Sequence, residues 1–187
     1  MILPQLHGSR IRLRPLAPAD SSGMFRLWSE PAVCEFSGSC EDAEGRRVVV
    51  PTPTRAESDR LLDFWLRRAE DGLGLRWAVT LLENEEFVGA VGFNTLGRCP
   101  EYAYHLLPSH WGRGLAKEAS VLALEWAFAD EAEEAVAFIE PANTNSIHLA
   151  QRLGFVATER TDGSCQRYVL SEANFRGSCP GPTSKKE

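Results

Sequence analysis

Long hydrophobic runs are missing from this chain. No apolar stretch approaches the run of about 20 residues that a membrane-crossing helix requires, which excludes a membrane-spanning role. The first residues, Met1 to Arg14, mix His7 and three arginines with single apolar residues, so they lack the unbroken apolar core of a secretion signal. We therefore expect a cytoplasmic protein that does not bind membranes.

Paired cysteine motifs are missing as well. The chain has five cysteines, an odd number, and none lies in a Cys-x-x-Cys pair with flanking histidines. They are Cys34, Cys40, Cys99, Cys165 and Cys179. Because they are scattered, they indicate neither a zinc site nor a disulfide framework, and we expect reduced thiols and no metal.

Positive charge is in deficit. Twenty Lys and Arg oppose 26 Asp and Glu, which gives a net charge of −6 at pH 7. This balance repels phosphate backbones and attracts cations at long range. It excludes bulk nucleic-acid binding and favours cationic partners.

The 187 residues are enough for one domain whose core needs neither metal nor disulfide. We expect that domain to span residues 1–175. Residues 176–187 are mostly Gly, Pro, Ser and Lys with little to bury, a composition that predicts a disordered tail.

Thr54 followed by Glu57 predicts the start of a capped helix. The segment from Ser37 to Pro53 predicts a long loop, either over a functional site or as an inert insertion.

A glycine-rich turn is the most informative local feature. Gly112 and Gly114 follow a predicted strand, Glu101 to Leu107, and precede a long amphipathic helix. Without side chains the backbone can approach a ligand, and the first helical amides have no intrahelical acceptor. The turn therefore suits an anion such as pyrophosphate, with Arg113 and Lys117 adding charge. A plain tight connection between strand and helix would have the same sequence.

Two other phosphate-binding motifs are excluded. The dinucleotide-binding fingerprint does not fit, because Lys117 stands where a small residue is needed, and no Walker loop is present.

Two stretches of the chain resemble motifs of a known family. Residues 101–119, EYAYHLLPSHWGRGLAKEA, resemble the acetyl-CoA-binding motif of the GNAT superfamily of acyl-CoA N-acyltransferases. Residues 143–146 together with 152–155 resemble its second motif. The opening Leu13-Arg14-Pro15-Leu16 agrees most closely with the branch that contains ribosomal-protein alanine acetyltransferases. The resemblance covers about residues 8 to 175, nearly the whole chain.

The resemblance implies an α/β (α+β) fold in one domain. It implies a twisted, mixed and mostly antiparallel sheet of about six or seven strands with helices on both faces. Two central parallel strands would splay apart, and the pantetheine arm of acetyl-CoA would lie between them. That arm would bond to backbone groups of Tyr104, His105 and Leu106, and to Asn143. The pyrophosphate would be wrapped by Gly112, Arg113, Gly114, Leu115, Ala116 and Lys117.

The sequence indicates the catalytic residues less clearly than the residues that would bind acetyl-CoA. Many members of the family use a Tyr as the acid, in the helix before Leu-Gly-Phe, where Ala150 stands here; Trp111 likewise replaces the family's Gln or Arg. Ser146 is a candidate proton source near the sulfur, or only a helix cap. As the base, Glu101 and Glu140 are the best-placed carboxylates, although each also suits a solvated charge at a strand end.

These implications predict an N-acetyltransferase that moves the acetyl group of acetyl-CoA, its co-substrate, directly to a primary amine. The reaction would pass through a ternary complex without a covalent enzyme intermediate. The acceptor would be a protein N-terminus or a small-molecule amine. The alternative is a module of the same fold that binds acetyl-CoA or a peptide without turnover. Pairing of sheet edges offers a route to a homodimer.

Overall fold

The computed structural model describes residues 3–38 and 40–179. Its strands are β1 (Leu6–His7), β2 (Ile11–Pro15), β3 (Cys40–Glu41), β4 (Arg47–Val48), β5 (Leu75–Leu81), β6 (Phe87–Phe93), β7 (Tyr102–Leu106), β8 (Glu134–Ile139), β9 (Val156–Asp162) and β10 (Cys165–Ser171). Its helices are α1 (Ser21–Trp28), α2 (Pro31–Cys34), α3 (Arg55–Glu70), α4 (Leu115–Ala129), α5 (Thr144–Leu153) and α6 (Glu172–Ser178). Short 3₁₀ turns span Pro18–Asp20 and Pro108–His110.

The strands form two antiparallel sheets and a small hairpin. The first sheet has the order β1-β2-β5-β6-β7, the second has the order β8-β10-β9, and β3 pairs with β4. The two sheets meet where β7 and β8 come side by side in parallel, through a single bridge between Glu101 and Val136. The predicted α/β (α+β) fold is confirmed, with its parallel central pair reduced to this one bridge.

The first sheet is covered on both faces. All seven residues of β5 and all seven of β6 are buried, and successive side chains point to opposite sides. Leu75 and Trp77 pack on the face that α4 covers, whereas Ala78 packs with residues of α1 and α3 on the other. Among the described residues, no helix combines the length and the apolar character needed to traverse a bilayer.

Local sequence signals set several element boundaries. Thr54 accepts a hydrogen bond from the amide of Glu57 at 3.3 Å, and α3 begins one residue later, as the capping box predicts. Gly154, with φ of 96°, ends α5 in the left-handed conformation that glycine tolerates. The predicted capped start of α3 is confirmed.

The predicted tail begins too early. Helix α6 continues through Ser178, so residues 176–178 belong to the fold, and residues 180–187 lie outside the described part of the chain. Ser171 caps this helix by accepting from the amide of Asn174 at 3.3 Å. Phe175, fully buried, packs against Phe128 with ring centroids 5.4 Å apart. One large buried ring thus anchors a segment whose composition suggested disorder.

The segment from Ser37 to Pro53 contains the β3–β4 hairpin. Asp42, only 2% exposed, holds it together. Its carboxylate accepts hydrogen bonds from the amide of Arg46 at 2.8 Å and from the guanidinium of Arg60, on α3, at 2.7 Å. The hairpin is therefore tied to α3, on the face of the first sheet opposite α4.

Candidate active site

The glycine turn forms the N-terminus of α4. Gly112 and Gly114 have φ of 71° and 77°, a left-handed conformation that strains any residue with a Cβ. Gly114 is the N-cap and provides no capping side chain, so the first amides of α4 are open to a ligand. Leu115 is buried and anchors the helix, whereas Arg113 and Lys117 are exposed beside the turn. The residues predicted to wrap a pyrophosphate, 112–117, therefore lie together at one helix N-terminus.

An arginine distant in sequence supports this turn. Arg10 donates to the carbonyl of Arg113 at 2.7 Å and to the carboxylate of Glu118 at 2.8 Å. Burial raises the pKa of Glu118, but the hydrogen bonds from Arg10 and Ser9 outweigh it and lower that pKa overall. An open groove of about 280 Å³ lies between Arg10 and the first turns of α4. Arg10 is not predicted from the sequence, because no local pattern links residues 108 positions apart.

Strands β7 and β8 separate beyond their one bridge. The amide of Val136 donates to the carbonyl of Pro100 at 2.9 Å beside that bridge, and no further β7–β8 pairing follows within the described residues. The strands thus form a cleft that is closed near Glu101 and open near the glycine turn.

The register of β7 on β6 decides which backbone groups face this cleft. Asn94 donates to the carbonyl of Glu101 at 2.7 Å, and Leu107 donates to that of Val88 at 2.9 Å. Because antiparallel pairs alternate, His105 shares the orientation of these residues and bonds toward β6. Its backbone is therefore not available to a ligand, contrary to the predicted pantetheine contact. The backbone groups of Tyr104 and Leu106 point the other way, toward β8.

Trp111 forms a hydrogen bond with one of these cleft-facing backbone groups. Its indole Nε1 donates to the carbonyl of Leu106 at 2.7 Å, while 46% of the residue remains exposed. Of the backbone groups of Tyr104 and Leu106 that face the cleft, the remaining ones are the amide of Leu106 and the amide and carbonyl of Tyr104. Trp111 therefore ties the glycine turn to the strand before it.

The far side of the cleft is formed by the start of α5. Asn143 is its N-cap, since its side-chain oxygen accepts from the amide of Ser146 at 3.1 Å. Of the two alternatives for Ser146, the structure therefore excludes the helix cap, which is Asn143. The hydroxyl of Ser146 instead shares a hydrogen bond of 3.0 Å with the hydroxyl of Tyr104. Ala150, one turn further along α5, is buried in the apolar cluster against which Tyr104 packs.

The two candidate carboxylates lie at opposite ends of the cleft. Glu101 is at the closed end, and Glu140 follows the last residue of β8 at the open end, where it accepts a hydrogen bond from Ser164. Glu140 lies four positions beyond Val136, the bridge partner of Glu101, which corresponds to roughly 13 Å. They cannot both serve one reacting carbon atom.

Glu101 belongs to a polar network on the face opposite α4. Its carboxylate accepts from the side-chain amide of Asn94, whose oxygen accepts from the guanidinium of Arg76. Arg76 is 5% exposed, and its guanidinium lies 3.8 Å from the ring centroid of Trp65. Burial lowers the pKa of Arg76 to about 9, so it remains protonated at neutral pH. A fixed positive charge therefore lies behind Glu101.

His105 also lies on this face, as a packed residue. Its ring centroid is 4.7 Å from that of Trp28, and its Nε2 is 3.4 Å from the hydroxyl of Ser37. Burial, with a smaller contribution from the charge of Arg76, lowers the pKa of His105 to about 3. The imidazole is therefore neutral at physiological pH and too weak a base to deprotonate an amine.

Within residues 3–38 and 40–179, no group of three or more His, Cys, Asp or Glu side chains is arranged to hold a metal ion.

Comparison with known proteins agrees with this geometry. Residues 10–156 match the family model described as an acetyltransferase (GNAT) domain. A relative from Bacillus licheniformis, named as the uncharacterised N-acetyltransferase p20, is 26% identical over 155 residues, which cover 80% of this chain and 81% of that protein.

Two solved structures share the fold. The first is Mycobacterium smegmatis RimJ in complex with CoA-disulfide, with a TM-score of 0.73, 18% identity, and coverage of 91% of this chain and 88% of that one. The second is the spermidine N-acetyltransferase from Vibrio cholerae in complex with CoA and spermine. Its TM-score is 0.71 at 18% identity, and the match covers 89% of this chain and 98% of that one.

Proposed function

The chain belongs to the GNAT acetyltransferase family, and from this premise we propose that it transfers the acetyl group of acetyl-CoA to a primary amine. The observation that carries the proposal is the cleft between β7 and β8, which opens onto the bare amides of the glycine turn. This arrangement supports the binding of a CoA thioester, since a diphosphate suits the helix N-terminus and an amide-bearing arm suits the exposed strand edge.

In this proposal the diphosphate lies against residues 112–117 and the pantetheine arm runs back along β7. The arm bonds to the backbone of Tyr104, the amide of Leu106 and the side-chain amide nitrogen of Asn143. It ends near the closed end of the cleft, because the diphosphate site follows the C-terminal end of β7. The thioester then lies between Tyr104 and Glu101.

The amine attacks the thioester carbonyl directly, in a ternary complex. Placing both reactants in one site lowers the barrier by roughly 7–11 kcal/mol, against a factor of about 10²–10⁴ for one general base. Glu101 is the proposed base, because it lies at the closed end and the charge of Arg76, relayed by Asn94, holds its carboxylate in place. Glu140 is too far along the cleft for this role.

The acceptor is a primary amine of a protein N-terminus or of a small molecule. An α-amine with a pKa of about 7.7–8.0 is roughly a tenth to a sixth neutral at pH 7, whereas a lysine amine is neutral in about one molecule in a few thousand. An α-amine therefore needs less help from the site. The net charge of −6 favours cationic acceptors of either kind. Among the structural neighbours, the Vibrio cholerae enzyme is named for spermidine.

A non-catalytic module is the second candidate. Two observations favour it: Ala150 offers no proton donor on α5, and the indole of Trp111 occupies a carbonyl that faces the cleft. Such a module would bind acetyl-CoA and release no thiol.

One experiment separates the two candidates. Release of free CoA thiol is measured with acetyl-CoA and a panel of N-terminal peptides, polyamines and amino acids, while calorimetry measures CoA affinity. Amine-dependent thiol release supports the transferase. CoA binding without release for any amine would support the module, and absence of CoA binding would contradict both.

A further inference from the structure

Thioester aminolysis needs a proton for the leaving thiolate, and one hydroxyl pair is placed to provide it. The hydroxyls of Tyr104 and Ser146 meet at 3.0 Å, joining β7 to the first turn of α5 across the cleft. Tyr104 lies three residues past the bridge at which the cleft closes. The pair therefore lies beside the stretch of cleft in which the thioester is proposed to sit.

The two sides of β7 carry different chemistry. Tyr102, Tyr104 and Leu106 point toward α4 and α5, since Tyr102 bonds Ser120 on α4 at 2.6 Å and Tyr104 bonds Ser146 on α5. Glu101 and His105 point toward Asn94 and Trp28, on the opposite face. A carboxylate and a phenol therefore approach the closed end of the cleft from opposite sides.

Tyr104 retains its proton at neutral pH. Burial raises the pKa of Tyr104 above its usual value of 10, and the hydrogen bond to Ser146 offsets only part of that rise. Other groups near the cleft are less suitable, because His105 is neutral and packed on the other face and Ser146 alone is a weaker acid than a phenol.

We infer that Tyr104 is the catalytic acid of the acetyl transfer proposed above, with Ser146 as its positioning partner. The amine nitrogen bonds to the acetyl carbon, and the carbon–sulfur bond then breaks with its electron pair on sulfur. The phenol O–H of Tyr104 gives its proton to that sulfur, which forms the free thiol of CoA. Ser146 donates a hydrogen bond to the phenolate and returns a proton to it from water. The proton lost by the amine leaves through Glu101, so charge and atoms balance.

The test compares two tyrosines of the same strand. Tyr104→Phe removes the proposed acid and keeps the ring, whereas Tyr102→Phe removes a hydroxyl from the same face of β7 and serves as the matched control. For Tyr104→Phe we expect kcat to fall about 100-fold or more, with CoA affinity from calorimetry within about three-fold of wild type. For Tyr102→Phe we expect kcat within about three-fold of wild type.

Two further measurements separate catalysis from structure. Wild-type kcat should fall at high pH as Tyr104 ionises, and this limb should be missing from the profile of Tyr104→Phe. Ser146→Ala should lose less activity than Tyr104→Phe, and the double variant should match Tyr104→Phe, because the two residues act as a unit.

The outcomes distinguish this inference from the proposed function. Wild-type protein that releases no thiol with any amine would overturn both. Active wild type with Tyr104→Phe equal to Tyr102→Phe would overturn only the role of Tyr104. A loss of CoA affinity as large as the loss of kcat would also overturn it, since Tyr104 would then act in binding.

Discussion

Trp111 and Leu106 are joined by a 2.7 Å hydrogen bond from the indole Nε1 to the backbone carbonyl. The bond joins residues five positions apart, closes a loop that includes the 3₁₀ turn Pro108–His110, and fixes where the glycine turn begins. It also occupies an acceptor that faces the cleft. We therefore expect the tryptophan to exchange one contact with the arm of CoA for a preformed turn at the proposed diphosphate site.

Trp111→Phe tests this exchange. The net worth of one hydrogen bond is about 0.5–1.5 kcal/mol, so loss of the preformed turn should weaken acetyl-CoA binding by about 2- to 13-fold. S-acetylpantetheine, which lacks the diphosphate, should bind equally well or better, because the carbonyl of Leu106 becomes free. Titration calorimetry with both ligands measures the two effects. Equal weakening for both ligands would contradict a role specific to the turn.

Gly114→Val should abolish the diphosphate site. At φ of 77° a side chain is strained, and a Cβ would lie 3.5 Å from the guanidinium of Arg10, at the mouth of the open amides. We expect CoA affinity to fall by about ten-fold or more, equivalent to about 1.4 kcal/mol. Gly163→Val is the control, since it has φ of 57° in the turn between β9 and β10 and open space around its Cβ. Unchanged affinity in Gly114→Val would remove the site from residues 112–117.

The positions of the carboxylates lead to opposite expectations for two isosteric changes. Glu101→Gln should lower kcat/KM by about 10²–10⁴-fold, because the base is lost. Glu140→Gln should leave kcat/KM near the wild-type value, since its carboxylate lies roughly 13 Å along the cleft from the bridge. Steady-state kinetics over a range of pH measures both variants. Wild-type profiles for the two would indicate that water carries the proton from the amine.

Local chemistry made much of this fold predictable. The capping pair of Thr54 and Glu57, the stop at Gly154 and the glycine turn depend on neighbours within a few residues, so their patterns are visible in the sequence. The bonds from Arg10 to Glu118 and from Tyr104 to Ser146 join residues 108 and 42 positions apart. Such contacts arise only when separate elements pack together, and no periodicity or motif reports them.

Two predictions, the start of the C-terminal tail and the backbone contact of His105, are wrong for the same physical reason: each depends on contacts between separate elements of the fold. Composition made residues 176–178 look like part of a tail, but burial of Phe175 is enough to hold the helix that contains them. The family resemblance implied a backbone contact between His105 and a ligand. The register on β6 turns its backbone away, and register depends on the pairing of strands rather than on the residue itself.

Asp42 makes the β3–β4 hairpin sensitive to acid. Burial raises its pKa, but hydrogen bonds from Arg46, Arg60 and the amide of Glu44 outweigh this and hold the pKa well below its usual value. A lowered folded-state pKa means that the stabilisation is complete above the unfolded pKa of about 3.9 and is lost as the pH falls toward the folded value.

The hairpin should therefore lose stability and loosen below about pH 4, because the unfolded segment then takes up a proton on Asp42, whereas in the folded hairpin the bonds to Arg46 and to Arg60 on α3 keep Asp42 ionised. Asp42→Asn should reproduce that loosening at neutral pH, and its stability should depend less on pH in the acidic range. Glu44→Gln is the control, since its half-exposed carboxylate forms surface ion pairs that contribute little. Hydrogen exchange of the hairpin amides and urea unfolding between about pH 3 and 7 measure the effect. Equal acid sensitivity of Asp42→Asn and wild type would show that another carboxylate governs this transition.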